Sequence, residues 1–272
     1  SSVISFQAAA AQHKVCTPLL LISMTSTALE EERVEVDDDL HFTWHRPSME
    51  EVQRQKSDPE TVRIFLNGCF DLMHVGHFNA LRQSKSVFYQ KNYKHVILVA
   101  GIHSDAAITR QKGQPLMSDE ERIAVLRATK WVDELATDLP YVSMSTKMAD
   151  RLFVDFICHG DDLPIVKGGG GMYSDVIENG RFQLLKRTEG VSTTQILERL
   201  LRQSPENLGA SAAPLEALGS ALATTQRLSQ FAAPPDPWRP RKALADAARV
   251  VYIDGTFDLL HSGHAKVLEA AA

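Results

Sequence analysis

Two imidazoles three residues apart, His74-Val75-Gly76-His77, carry the strongest chemical signal in the chain. An apolar run (Val62-Arg63-Ile64-Phe65-Leu66) and a turn through Gly68 precede them, and a helical pattern follows. A helix opening here turns its free N–H groups and the positive end of its dipole toward whatever lies at the mouth of the turn. Gly76 has no side chain, so a phosphate can approach the backbone closely. Residues at i and i+3 share one helix face. The two rings can therefore donate hydrogen bonds to phosphate oxygens whose charge grows in a transition state. A structural or metal-binding pair is the alternative. The whole segment occurs twice, as Asn67-Gly68-Cys69-Phe70-Asp71-Leu72-Met73-His74-Val75-Gly76-His77 and as Asp254-Gly255-Thr256-Phe257-Asp258-Leu259-Leu260-His261-Ser262-Gly263-His264. Repetition at fixed offsets favours the phosphate reading.

Three further segments suit the same chemistry. In Arg187-Thr188-Glu189-Gly190-Val191-Ser192-Thr193-Thr194-Gln195 a guanidinium precedes a second helix start, where Ser192 and Gln195 have capping-box spacing. A planar guanidinium fork suits phosphate, although a plain capped helix would read the same way. Lys112-Gly113 stands in a loop ending at Pro115 and could act as a mobile phosphate clamp, or be merely solvated. His159-Gly160-Asp161-Asp162 follows an apolar run and could read a base or an amine, or cap a helix.

These residues need a frame. Residues 62–66, 95–100 and 153–158 read as strands, and residues 76–88 and 119–128 as helices, with Ser118 and Glu121 spaced as a capping box. Strands alternating with helices imply a parallel sheet with right-handed crossovers, which binds ligands beyond the carboxyl ends of its strands. The expected division is an N-terminal extension at 1–58, partly disordered and carrying an acidic run without assigned function, and a catalytic domain at 59–203. An Ala/Pro-rich linker at 204–248, with a helix near 215–228, then leads to the start of a second similar domain at 249–272. About 24 residues cannot form a sheet of their own, and the chain starts without Met and stops inside a helical pattern. It is expected to be a piece of a longer protein.

The net charge of −5 excludes a general electrostatic nucleic-acid binder. Three cysteines, Cys16, Cys69 and Cys158, are too few and too scattered for a disulfide framework or a zinc site, which fits a reducing setting. No apolar run has the length of a membrane span. The short run at 15–24 contains Pro18 and lacks a basic flank, so a buried or disordered segment is expected there. The glycine run at 168–171 lacks the lysine–hydroxyl arrangement of a phosphate loop and reads as a tolerated loop. Cys69 has no basic neighbour in sequence and reads as a space-filling thiol.

Taken together and in this order, residues 68–77, 112–113, 159–162 and 187–194 resemble the cytidylyltransferase family, over about residues 60–203. The resemblance implies a Rossmann-like nucleotidyltransferase α/β fold with a parallel sheet and tandem duplicated domains, the second truncated here. It implies attack of a phosphate on the α-phosphorus of CTP without a covalent intermediate. Two repeats, and Leu163-Pro164-Ile165 after the aspartates where choline-type members carry a tyrosine, favour phosphoethanolamine as acceptor over phosphocholine. By the same resemblance His74, His77, Lys112 and Arg187 are the catalytic residues. Gly68, Cys69, Phe70, Asp71, Gly76, His159, Gly160, Asp161, Thr188, Ser192 and Thr193 complete the CTP site. Tyr141, Asp161 and Asp162 are expected to hold the amine, since a primary ammonium suits carboxylates. Mg²⁺ is expected to accompany CTP, without a carboxylate cage of its own. Packing of the tandem domains as a pseudo-dimer, homo-oligomerisation and a cytoplasmic location, with peripheral attachment to the endoplasmic reticulum as a second option, are further implications. No nucleic-acid partner and no stable membrane insertion are expected. A different nucleotidyltransferase, or a nucleotide-binding regulator without turnover, is the rival reading.

Overall fold

The computed structural model describes residues 29–37, 40–163, 171–202, 251–255, 257 and 259–271. In chain order the elements are β1 (Glu30–Asp37), β2 (Leu40–Arg46), α1 (Met49–Ser57), β3 (Thr61–Gly68), α2 (Val75–Gln90), β4 (His95–His103), α3 (Asp105–Gln111) and α4 (Asp119–Arg127). They continue with β5 (Glu134–Leu139), α5 (Thr146–Arg151), β6 (Phe156–Gly160), α6 (Ser174–Glu178), β7 (Phe182–Leu185), α7 (Thr193–Arg202) and α8 (Ser262–Ala271).

The seven strands form one sheet in the order β1-β2-β5-β4-β3-β6-β7. Strands β5, β4, β3, β6 and β7 run parallel, while β2 runs antiparallel to both β5 and β1. The chain builds outward from β3 through β4 to β5, then returns to place β6 on the other side of β3. That reversal makes the gap between the carboxyl ends of β3 and β6 the switch point of the sheet, where ligands bind in folds of this kind.

Both faces of the sheet are covered, which is why the central strands read as continuous apolar runs. Val62, Ile64 and Leu66 of β3 join Leu81 and Phe88 of α2 in one core. Phe65 points the other way, into a second core with Trp44, Val99, Leu152 and Ile157. Arg63 is fully buried on that second side and donates to both carboxylate oxygens of Glu134 at 2.7 Å, and Trp44 Nε1 donates to Glu134 Oε2 at 3.0 Å. Bidentate geometry with further partners is what such a buried pair requires.

This arrangement corrects the expected extension at 1–58. Residues 30–37 and 40–46 belong to the sheet and residues 49–57 to α1. The acidic run hides a period-two pattern: Val34 and Val36 face the core from β1, and Phe42 and Trp44 do so from β2, between polar residues. Toward the start of β1, on the same face as these valines, Glu32 and Glu30 accept from Arg46 at 2.8 and 2.9 Å. β5 and β7 were not anticipated either. The third expected strand starts later, at Phe156, because Phe153 adopts a left-handed φ of 52° and turns the chain at the end of α5. The helices expected at 76–88 and 119–128 are α2 and α4, and the Ser118–Glu121 capping box is formed. At the second repeat α8 forms, whereas 251–255 is not a strand: an extended segment needs a neighbour to bond, and none of the described strands pairs with it. The run at 15–24, the glycines at 168–170 and the helix expected near 215–228 lie outside the described residues.

Candidate active site

The first copy of the repeated turn leaves β3 at Gly68 and enters α2 at Val75. Phe70 and Leu72 sit at φ of 51° and 44°, a conformation that non-glycine residues hold only when their surroundings impose it. His74 is the N-cap of α2, and its Nδ1 accepts from the Gly76 N–H at 3.1 Å. His77 Nδ1 accepts from the His74 N–H at 3.3 Å. A backbone N–H can only donate, so both Nδ1 atoms are bare and in the neutral rings both Nε2 atoms carry the proton. Each imidazole thus spends one nitrogen on the helix end and keeps an N–H donor for a ligand. Burial, with Arg187 and Arg199 nearby, lowers the His74 pKa to about 4. Burial, helped by His74, Lys112 and Arg187, lowers His77 to about 3. The two ring centroids lie 4.1 Å apart. A Cβ at Gly76 would meet the His74 ring at 2.8 Å, so this glycine is needed for that close approach.

Lys112 follows α3, and Gly113, with φ of +105°, lets the chain leave the helix. Asp71 of the repeated turn ties down the loop beyond, accepting from the Leu116 and Met117 N–H groups at 2.9 and 3.0 Å. Fully buried Arg122 completes the tie by donating to the carbonyls of Cys69, His103 and Met117 at 2.6, 3.0 and 3.2 Å. Nothing in the spacing of Arg122 marked it; its role is visible only once three separate loops meet around it. Lys112 Nζ stands 5.4 Å from the Tyr141 ring centre, and the Cys69 thiol lies near enough to feel its charge. Desolvation lowers the Lys112 ammonium, but Cys69, Tyr141 and Asp162 outweigh it and hold the value above the ordinary one. Cys69 has the basic neighbour that its sequence context lacked, yet burial raises its thiol above the usual range, so it is not a ready nucleophile.

The N-terminus of α7 meets that of α2. Val191 lies beside Gly76, Thr193 Oγ1 donates to the Asp71 carbonyl at 3.1 Å, and Ser192 Oγ caps its own helix from the Gln195 N–H at 3.2 Å. Thr188 is buried and accepts from Asn79 of α2 at 2.8 Å. Arg187 is half-exposed and pairs with Asp162 at 3.0 Å, while its N–H donates to Asp161 at 3.3 Å. Both carboxylates expected to hold an amine are therefore engaged with the Arg187 segment.

Across the switch point lies a buried polar chain that sequence reasoning missed. Tyr173 donates its hydroxyl to Asn67 Oδ1 at 3.0 Å, Asn67 Nδ2 is 3.1 Å from His103 Nε2, and His103 Nδ1 is 3.1 Å from the Pro140 carbonyl. The Tyr141 ring packs on His103 and the Tyr173 ring on His159, with centroids 4.7 and 4.8 Å apart. Residues from β3, β4, β6 and five loops thus converge at one end of the sheet. No helix among the described residues is long and apolar enough to cross a membrane. No group of three or more His, Cys, Asp or Glu side chains among them could hold a metal ion.

A mostly parallel sheet with two helix N-termini, paired imidazoles, a lysine and an arginine at its switch point makes a site suited to the phosphates of a nucleotide. Residues 65–199 match the family model described as cytidylyltransferase-like. It is 35% identical over 233 residues to the ethanolamine-phosphate cytidylyltransferase of Dictyostelium discoideum, covering 79% of this chain and 61% of that protein. It is 36% identical over 238 residues to the enzyme of the same name from Arabidopsis thaliana, covering 77% and 53%. A probable choline-phosphate cytidylyltransferase of Schizosaccharomyces pombe is 39% identical, but over only 142 residues, covering 52% and 37%. The chain thus spans between half and two thirds of the length of the ethanolamine-phosphate relatives.

Proposed function

We propose that this chain transfers the cytidylyl group of CTP to phosphoethanolamine, giving CDP-ethanolamine and pyrophosphate for phospholipid synthesis. The observation that carries the reading is the pair of neutral imidazoles at the α2 N-terminus, each with its Nε2–H free, beside the α7 N-terminus, Lys112 and Arg187. Similarity to ethanolamine-phosphate enzymes over far more of the chain than to the choline-phosphate one supports phosphoethanolamine as acceptor.

In this reading a phosphate oxygen of phosphoethanolamine attacks the α-phosphorus of CTP, and the bond from that phosphorus to the oxygen bridging to the β-phosphate breaks. The electron pair leaves with pyrophosphate. No side chain forms a bond, so the protein positions the groups and stabilises charge. His74 and His77 donate to the α-phosphate oxygens, Lys112 and Arg187 neutralise charge from two sides, and Ser192 and Thr193 hold the departing pyrophosphate at the α7 N-terminus. Gly68, Cys69, Phe70 and Asp71 shape the nucleotide side, with Thr188 holding the Arg187 segment against α2. His159, Gly160 and Asp161 lie on the cytosine side.

The Arg187–Asp162 pair gives the two substrates a common exchange. Phosphates that recruit Arg187 release Asp162 to meet the ammonium beside Tyr141. Mg²⁺ enters with CTP as part of the substrate; among the described residues no group of three or more His, Cys, Asp or Glu side chains could hold it. A cytoplasmic location, and packing of the tandem domains as a pseudo-dimer, belong to the same reading. The packing of Leu260 against the first-domain core and of α8 against α4 supports the latter.

Product formation from CTP or ATP with phosphoethanolamine or phosphocholine tests the assignment. The CTP–phosphoethanolamine pair is expected to dominate. Preference for ATP would point to another nucleotidyltransferase, and preference for phosphocholine would reverse the acceptor.

A further inference from the structure

The buried chain from Pro140 to Tyr173 has a direction. The Pro140 carbonyl can only accept, so His103 Nδ1 carries the ring proton and Nε2 is bare. Nε2 must then accept from the Asn67 amide, which turns Asn67 Oδ1 toward the Tyr173 hydroxyl. Three bonds of fixed polarity thus run from Tyr173 through Asn67 and His103 to the loop that carries Tyr141. His103 also touches Tyr141 directly, ring on ring at 4.7 Å. Its main chain is anchored by Arg122, which donates to the His103 carbonyl at 3.0 Å, and by the Ser104 N–H, which donates to Leu139 O at 3.1 Å. His103 is buried, and burial, with Lys112 and Arg122 nearby, lowers its pKa to about 4, so the neutral ring that this polarity requires is the form present at neutral pH.

We propose that His103 is a positioning residue that fixes the separation of two aromatic walls, Tyr141 and Tyr173, on the acceptor side of the switch point, and thereby sets the fit of that pocket to a primary amine. The inference rests on the function proposed above and deepens it. Among the described residues no hydrogen bond or ring contact links His103 to His74, His77 or the α7 N-terminus, so its effect is expected to fall on the acceptor and not on CTP. A role confined to folding would lower stability without separating the two substrates.

Steady-state kinetics of the full chain, varying CTP and phosphoethanolamine separately, distinguishes these outcomes. His103→Phe keeps an aromatic ring and removes both hydrogen bonds; the phosphoethanolamine KM is expected to rise roughly tenfold while the CTP KM stays within about twofold. His103→Gln places an oxygen near the Nε2 position, still accepts from Asn67, and is expected to recover most of that loss. Tyr173→Phe leaves the ring and removes only the terminal donor, so it gives a smaller rise in the same KM even where His103→Phe folds poorly. An unchanged phosphoethanolamine KM in both Phe variants, or a parallel rise of both KM values, overturns the inference alone. A wild-type chain that turns over CTP but not phosphoethanolamine overturns it together with the acceptor assignment.

Discussion

The two copies of the His-x-Gly-His turn are built almost identically and stand in different surroundings. In both, the first histidine accepts from the glycine N–H at 3.1 Å and the second accepts from the N–H of the first at 3.3 Å. The ring centroids lie 4.1 Å apart in one and 4.0 Å in the other. Phe257 and Leu259 repeat the left-handed φ of Phe70 and Leu72, at 47° and 48°. Local sequence therefore suffices to make the histidine-capped helix end. What it does not make is the site. The first copy has Asp71 holding the lysine loop, Arg122 joining three loops, and α7 facing α2. Around the second copy no described residue supplies a lysine or an arginine in the equivalent role, and His261 is exposed. Two helix caps of one design thus stand in different settings: one is beside a lysine, an arginine and a second helix start, and the other leans against its neighbour through Leu260.

The largest expected contrast is catalytic. His77→Ala or His74→Ala is expected to lower CDP-ethanolamine formation by about a thousandfold or more, as loss of a transition-state donor does. His264→Ala and His261→Ala are expected to change it by less than about threefold. Equal losses at both copies would break the contrast and give the second turn a direct part in turnover.

A smaller effect separates the two glycines. Gly76→Ala pushes a methyl against the His74 ring, with Val191 closing the other side at 3.4 Å, and is expected to cost roughly tenfold to a hundredfold in kcat/KM. Gly263→Ala presses on His261 in the same way but has no α7 beside it, and activity is expected to be unchanged within about twofold.

The smallest effect is on stability. Folding lowers His74 to about 4 and His77 to about 3 from an ordinary value of 6.5, so the unfolded chain takes up protons first as pH falls. Their contribution is full above about pH 6.5 and is lost progressively as pH falls toward about 4 for His74 and about 3 for His77. Thermal melts are expected to show a loss on the order of 2 kcal/mol per histidine between pH 7 and pH 5, and a flatter profile in His77→Gln. A slope unchanged by that substitution would mean that His77 is not held neutral by its surroundings.

The sequence revealed the parts of this molecule that are local. The turn into α2, the capped start of α4 and the hydroxyl-rich start of α7 each rest on residues a few positions apart, and each formed where its pattern lies. Strands hidden under charge were not legible. Glu30, Glu32 and Glu35 dominate the reading of β1, and only pairing with β2 and burial of Val34 and Val36 reveal its alternation. Long-range partnerships were beyond reach for a related reason. Arg122 is an ordinary helix residue until it meets Cys69, His103 and Met117, and Asn67, His103 and Tyr173 lie far apart in the chain and join only through the strand order. The same holds for Arg187 and Asp162, each picked out as a site residue, but not as a pair.

The central claim, that nucleotide chemistry resides in the first copy alone, is tested most directly by calorimetric titration of CTP with Mg²⁺ into the full chain. One CTP per chain is predicted, with binding abolished or strongly weakened in His77→Ala and retained in His264→Ala. Two equivalents per chain, or loss of binding in His264→Ala with retention in His77→Ala, would contradict it.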